Sequence, residues 1–151
     1  MYADYTSCRL CPRKCGINRY ETTGFCGMSA EIKAAKATLH QWEEPCISCE
    51  NGAGTVFFSG CSLRCVYCQN TQISAAGFGE IITSERLGDI FLELQNRGAE
   101  NIELVTPTHF LPQIISALDR VKQSSCFCTC AEAYGGIRYP KYYRHACKRA
   151  V

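Results

Sequence analysis

The sequence predicts an α/β fold, and three observations carry that reading. Thr55-Val56-Phe57-Phe58 is a β-branched and aromatic run bounded by Gly54 and Gly60, which reads as a buried strand. Leu87, Ile90, Phe91 and Leu94 recur at i, i+3, i+4, i+7, the spacing of one apolar helix face. Ile102, Leu104 and Val105 form a second short strand, followed by a second helical pattern at Leu111, Ile114, Ile115, Leu118 and Val121. Strand, loop, helix, strand, helix is the order that builds a parallel sheet with right-handed crossovers.

The boundaries of these elements have local causes. Ser84 can cap the first helix, and Glu85 favours its positive end. Gly98 supplies its stop. Pro112 falls in the first turn of the second helix, where a missing N–H costs nothing. Residues 29–45 are ambiguous. Ala34, Ala35 and Ala37 favour helix, yet Ile32, Ala35, Leu39 and Trp42 are loosely spaced for one face. His40 in that stretch reads as packed or exposed rather than as a ligand. Asn51-Gly52-Ala53-Gly54 makes a turn and a subdomain boundary. Two strands alone cannot bury both helices, because parallel sheets are covered on both faces and have several strands.

The chain of 151 residues suits one ordinary domain, with 46% hydrophobic and 20% charged residues. A net charge of +2 gives no argument for nucleic acid or for a membrane surface. No apolar run is long enough to span a bilayer, and Met1-Tyr2-Ala3-Asp4-Tyr5 does not open a secretory signal. A soluble cytoplasmic protein is therefore expected. Its 13 cysteines are odd in number and clustered, which in a reducing compartment points to metal ligation rather than disulfides.

The strongest cysteine group is Ser59-Gly60-Cys61-Ser62-Leu63-Arg64-Cys65-Val66-Tyr67-Cys68-Gln69-Asn70. Short spacers let Cys61, Cys65 and Cys68 converge from one loop on one metal site. That loop leaves the Thr55–Phe58 strand at its carboxyl end, where α/β folds place their chemistry. A second group, Cys8-x2-Cys11-x3-Cys15-x10-Cys26, is punctuated by Pro12, Gly16, Gly24 and Gly27. It can close a tetrahedral zinc site, hold an iron–sulfur cluster, or remain as partly buried thiols. Arg9, Arg13, Lys14 and Arg19 around it would favour thiolates. Cys46-x2-Cys49 is a weak redox or ligand pair.

Residues 124–151 change character. They hold Cys126, Cys128, Cys130 and Cys147 with Tyr134, Tyr139, Tyr142 and Tyr143, and no leucine. Such a composition cannot extend an apolar core, so a disordered tail is expected, with a third metal site as the alternative. The abrupt change after Gln123 suggests a truncated or frame-shifted reading frame.

Around the cysteine triplet the chain resembles radical S-adenosylmethionine enzymes, in the branch related to pyruvate formate-lyase activating enzymes. Cys8-Arg9-Leu10-Cys11-Pro12-Arg13-Lys14-Cys15-Gly16, Gly24-Phe25-Cys26-Gly27, Trp42-Glu43-Glu44-Pro45-Cys46-Ile47-Ser48, Gly54–Gly60 and Leu104-Val105-Thr106-Pro107-Thr108-His109-Phe110 extend the resemblance over residues 5–122. The resemblance implies the first part of a partial (β/α) barrel. Residues 1–50 would be a Cys-rich N-terminal segment, residues 51–123 a partial core and residues 124–151 the divergent tail. It also implies a 4Fe–4S cluster on Cys61, Cys65 and Cys68, with the fourth iron open to S-adenosylmethionine. Reductive cleavage would then release a 5′-deoxyadenosyl radical.

By the same resemblance Tyr67 would lie near the adenine, with a packing role as its alternative, and Asn70 would assist at the site or form a turn. Thr106, Thr108 and His109 stand where many members carry Gly-Gly-Glu, and would replace those contacts. Cys49 stands where a small residue such as glycine is expected. The implied partners are a protein substrate of glycyl-radical type and a low-potential electron donor. Competing readings are a non-enzymatic zinc or iron–sulfur module, a ferredoxin-like carrier, and an inactive fragment of the enzyme.

Overall fold

The computed structural model describes residues 5–42 and 51–124. The Cys46–Cys49 pair and the 125–151 tail lie outside the described residues. Four strands form one mixed sheet: β1 (Ile32–His40), β2 (Ala53–Phe58), β3 (Glu80–Ile82) and β4 (Ile102–Val105). Their order across the sheet is β3-β1-β2-β4. The helices are a single turn, α1 (Thr71–Ser74), then α2 (Ser84–Asn96) and α3 (Leu111–Ser124).

The expected strand pair is present and parallel. Gly54, Thr55, Val56 and Phe57 face Ile102, Glu103, Leu104 and Val105 in register. The 29–45 stretch, ambiguous in sequence, is decided by the fold. Its alanines favour helix, but the segment is β1, antiparallel to both β2 and β3. Backbone pairing with two neighbours outweighs a propensity of a few tenths of a kcal/mol per residue, roughly. A register shift between Ala34 and Lys36 explains the blurred pattern. Ala34 stands opposite Phe58 before the shift, whereas Ala37 and Leu39 stand opposite Val56 and Gly54 after it. Burial along β1 accordingly follows no simple alternation: Ile32 is buried, Lys36 and Ala37 are both exposed, and Thr38, Leu39 and His40 are all intermediate. The sheet also crosses the boundary expected near residue 51, because β1 and β2 are neighbours within it.

The core lies between the sheet and α2, with α3 packed on α2. Val56, Phe58, Ile102, Leu87, Phe91, Leu94, Phe110, Ile114 and Ala117 are all buried there. The α2 cap is one residue earlier than expected. Thr83, in extended conformation, accepts from the Arg86 N–H, and Ser84 is already helical. β1 resolves the shortage of strands that the sequence left open: it supplies sheet area from the N-terminal segment.

Candidate metal centre

The parallel strands β2 and β4 pair side by side, and the cysteine loop and Thr106 follow directly from their ends. β2 runs into Ser59 and Gly60, then the cysteine loop. Ser59 is fully buried, donates its hydroxyl to the Phe78 carbonyl at 2.6 Å, and donates its N–H to the Lys33 carbonyl at 2.9 Å. Gly60 has φ +79°, and a Cβ on it would meet the Met28 side chain at 2.4 Å and the Cys26 carbonyl at 2.7 Å. The loop is thus laid directly on the N-terminal segment. The Cys61 N–H donates to the Cys26 carbonyl at 3.3 Å, and Arg13 Nε donates to the Ser62 carbonyl at 2.9 Å. Arg13 and Arg64 both stack on Phe25, at 4.2 Å and 5.3 Å from its centroid.

The three thiols of the loop are free, with Cys65 exposed and Cys61 and Cys68 half-buried. The Leu63 N–H points at Cys61 Sγ at 3.4 Å, and Cys68 Sγ lies 3.3 Å from Ser74 Oγ. Thr71 donates to the Cys68 carbonyl, and α1 closes the loop behind it. Leu63, Val66 and Tyr67 project outward, with Tyr67 89% exposed. Among the described residues no three His, Cys, Asp or Glu side chains stand together as ligands of a single metal ion. A four-iron cluster asks for something different. Its irons and sulfides lie between the thiolates, so three accessible thiols on one short loop fit it without converging on a point.

After β4, Thr106 adopts φ +55° and donates its hydroxyl to the Phe58 carbonyl at 3.0 Å, which joins the two strand ends. Thr108 begins a short 3-10 turn (Thr108–Phe110). His109 sits below this edge rather than on it. It is 2% exposed, and its Nε2 donates to the Ser59 carbonyl at 2.8 Å. Burial holds its pKa down at about 4; the Ser59 bond opposes this and Arg19 adds to it. His109 is therefore neutral at pH 7 and supports the residue before Gly60. Asn70 bonds through its backbone carbonyl to the Ile73 and Ser74 N–H groups, a turn-forming contact, and its side chain makes no capping bond.

Sequence reasoning placed Arg19 among the cations around the first cysteines but missed its burial. It is wholly buried. Its guanidinium donates to the Met28, Ser29 and His109 carbonyls, and lies 4.5 Å from the Tyr5 ring centroid. Tyr5 in turn donates to the His109 carbonyl at 3.2 Å and to Gln113, which bonds to Ala30. These contacts tie the N-terminal segment to the start of α3. Nothing in an arginine among polar turn residues signals such a position.

The profile of the 4Fe-4S single cluster domain family matches residues 50–141. The chain belongs to that family. As a member of the 4Fe-4S single cluster domain family it carries Cys61, Cys65 and Cys68 inside the matched region, whereas Cys8, Cys11, Cys15 and Cys26 lie before it. An uncharacterized protein of Methanocaldococcus jannaschii is 33% identical over 78 residues. That match covers 52% of this chain and 22% of the relative, so the chain spans well under two thirds of the relative's length. No solved structure matches.

Proposed function

We propose that Cys61, Cys65 and Cys68 hold a 4Fe–4S cluster with one iron left open, and that S-adenosylmethionine binds there for reductive cleavage. The observation that supports this best is the free thiol triplet on a fixed loop at the carboxyl edge of β2 and β4, within a 4Fe–4S family match. Three protein ligands leave a position for a cosubstrate, whereas a carrier closes all four. When bound, the reduced cluster would pass one electron to the sulfonium, break its bond to the 5′ carbon, and release methionine and a radical that abstracts hydrogen from a substrate.

The chain's own residues have narrower tasks. Ser59, Gly60 and neutral His109 fix where the loop departs. Tyr67 offers an exposed ring to the adenine. Thr106 and Thr108, at the neighbouring strand end, offer polar groups to the amino-acid part of the cosubstrate. A glycyl-radical protein and a low-potential donor are the partners this reading entails. Among the described residues one parallel strand pair carries the site, which favours a second reading: cluster binding without cleavage.

Anaerobic reconstitution with iron and sulfide tests both. A 4Fe–4S electron paramagnetic resonance signal that shifts with S-adenosylmethionine is expected, and Cys65→Ala should lose the cluster. A cluster indifferent to S-adenosylmethionine supports the second reading. Full cluster content in Cys65→Ala, or zinc with no cluster, refutes the ligand assignment.

A further inference from the structure

We propose that Cys8, Cys11, Cys15 and Cys26 form a second, independent metal site, a structural four-thiolate zinc centre. The four thiols are unpaired, and Cys8 and Cys26 are buried. Cys15 and Cys26 are each followed by a glycine in the left-handed region, Gly16 at φ +69° and Gly27 at φ +82°. In each case the turn aims the N–H two residues on at the preceding sulfur: Ile17 at Cys15, and Met28 at Cys26. Burial raises the Cys26 thiol despite this contact, so its proton would leave when metal binds. The two sulfurs lie on the same side of Gly24. A Cβ on Gly24 would meet Cys26 Sγ at 3.3 Å and Cys15 Sγ at 3.7 Å. Backbone bonds fold the same stretch together: the Cys8 N–H donates to the Ile17 carbonyl and the Gly16 N–H to the Cys8 carbonyl, both at 2.9 Å, and the Lys14 N–H donates to the Cys11 carbonyl at 3.0 Å.

An independent observation is the Arg19 guanidinium. It is fully buried, and among the described residues no carboxylate forms an ion pair with it. It lies 3.8 Å from Cys8 Sγ through Nη1. A buried cation surrounded by carbonyls, rings and a thiol is costly without a counter-charge. Four thiolates on a divalent ion leave a net negative centre, which supplies that charge. Among the described residues no three such side chains stand together as metal ligands, so binding would have to draw the four thiols closer. Zinc fits better than an open cluster. Four protein thiolates close its coordination, and the location under the Gly60 turn calls for a structural ion.

The test uses the full chain carrying Cys61→Ser, Cys65→Ser and Cys68→Ser, so that its outcome does not depend on the cluster site. Titration with Co²⁺ under anaerobic conditions should give tetrahedral cobalt–thiolate bands that saturate at about one equivalent and are displaced by Zn²⁺. Adding Cys15→Ser and Cys26→Ser should abolish the bands. Cys15→His, which keeps a ligand, should retain binding with weaker thiolate charge-transfer intensity, and this separates lost ligation from lost folding. Bands unchanged by Cys15→Ser and Cys26→Ser overturn the proposal, as does uptake of iron and sulfide in place of zinc by the triple variant.

Discussion

Replacing Gly60 with alanine tests how the N-terminal segment fixes the cysteine loop. Two costs add at this position. The backbone at φ +79° is strained for any L side chain, at about 1–2 kcal/mol. The new Cβ would also stand 2.4 Å from Met28 Cγ and 2.7 Å from the Cys26 carbonyl. Met28 can move, but the carbonyl belongs to the backbone that also accepts the Cys61 N–H, so relief means displacing one segment from the other. Overpacking of this kind costs about 1–3 kcal/mol. The expected loss is therefore about 2–5 kcal/mol, or roughly 2–4 °C in Tm for each kcal/mol in a chain of this size.

Gly98→Ala is the control. Gly98 has φ +93° but its nearest neighbour is Asn51 Cβ at 4.0 Å, so only the strain of about 1–2 kcal/mol applies. Urea denaturation of the reduced, metal-free chain measures both, and iron content after reconstitution shows whether the loop still binds. Equal destabilisation by the two substitutions would refute the close approach of loop and N-terminal segment.

Three further outcomes follow from the same contacts. His109 has its pKa lowered from 6.5 to about 4 in the fold, so the unfolded chain binds the extra proton first. Stability is full above about pH 6.5 and falls as pH drops toward 4, by up to roughly 3 kcal/mol. His109→Gln, which keeps a donor near the Ser59 carbonyl, should flatten that slope in denaturation series from pH 7.5 to 4.5; an unchanged slope would count against burial of a neutral imidazole. Arg19→Met removes the donor to three carbonyls, those of Met28 and His109 buried and that of Ser29 partly so, and should cost at least about 2 kcal/mol in the metal-free chain, measured by thermal unfolding; a neutral effect would contradict the hub. Thr83→Ala should cost about 1 kcal/mol, and Ser84→Ala should cost markedly less, by circular dichroism melts.

Much of the site was legible because it is local. Cys61, Cys65 and Cys68 are close in sequence, and the Thr55–Phe58 run that delivers them announces a strand by composition alone. The two amphipathic helices were legible by period, with the cap misplaced by one residue because Thr83 and Ser84 are both good caps. β1 was not legible, since its alanines favour helix and its register shift breaks the alternation that marks a strand. Its identity is decided by the neighbours on either side, β2 and β3.

The sequence by itself determined the donor set: which thiols exist, how closely they are strung, and that a strand end presents them. Those properties follow from residue identity and short chain spans. Only the tertiary structure decided what the loop rests on. The Cys26 carbonyl and Met28 meet the loop directly, neutral His109 holds the Ser59 carbonyl across 50 residues, and buried Arg19 braces His109 across 90. Such contacts depend on how the sheet and helices bring distant segments together, and no local pattern encodes them.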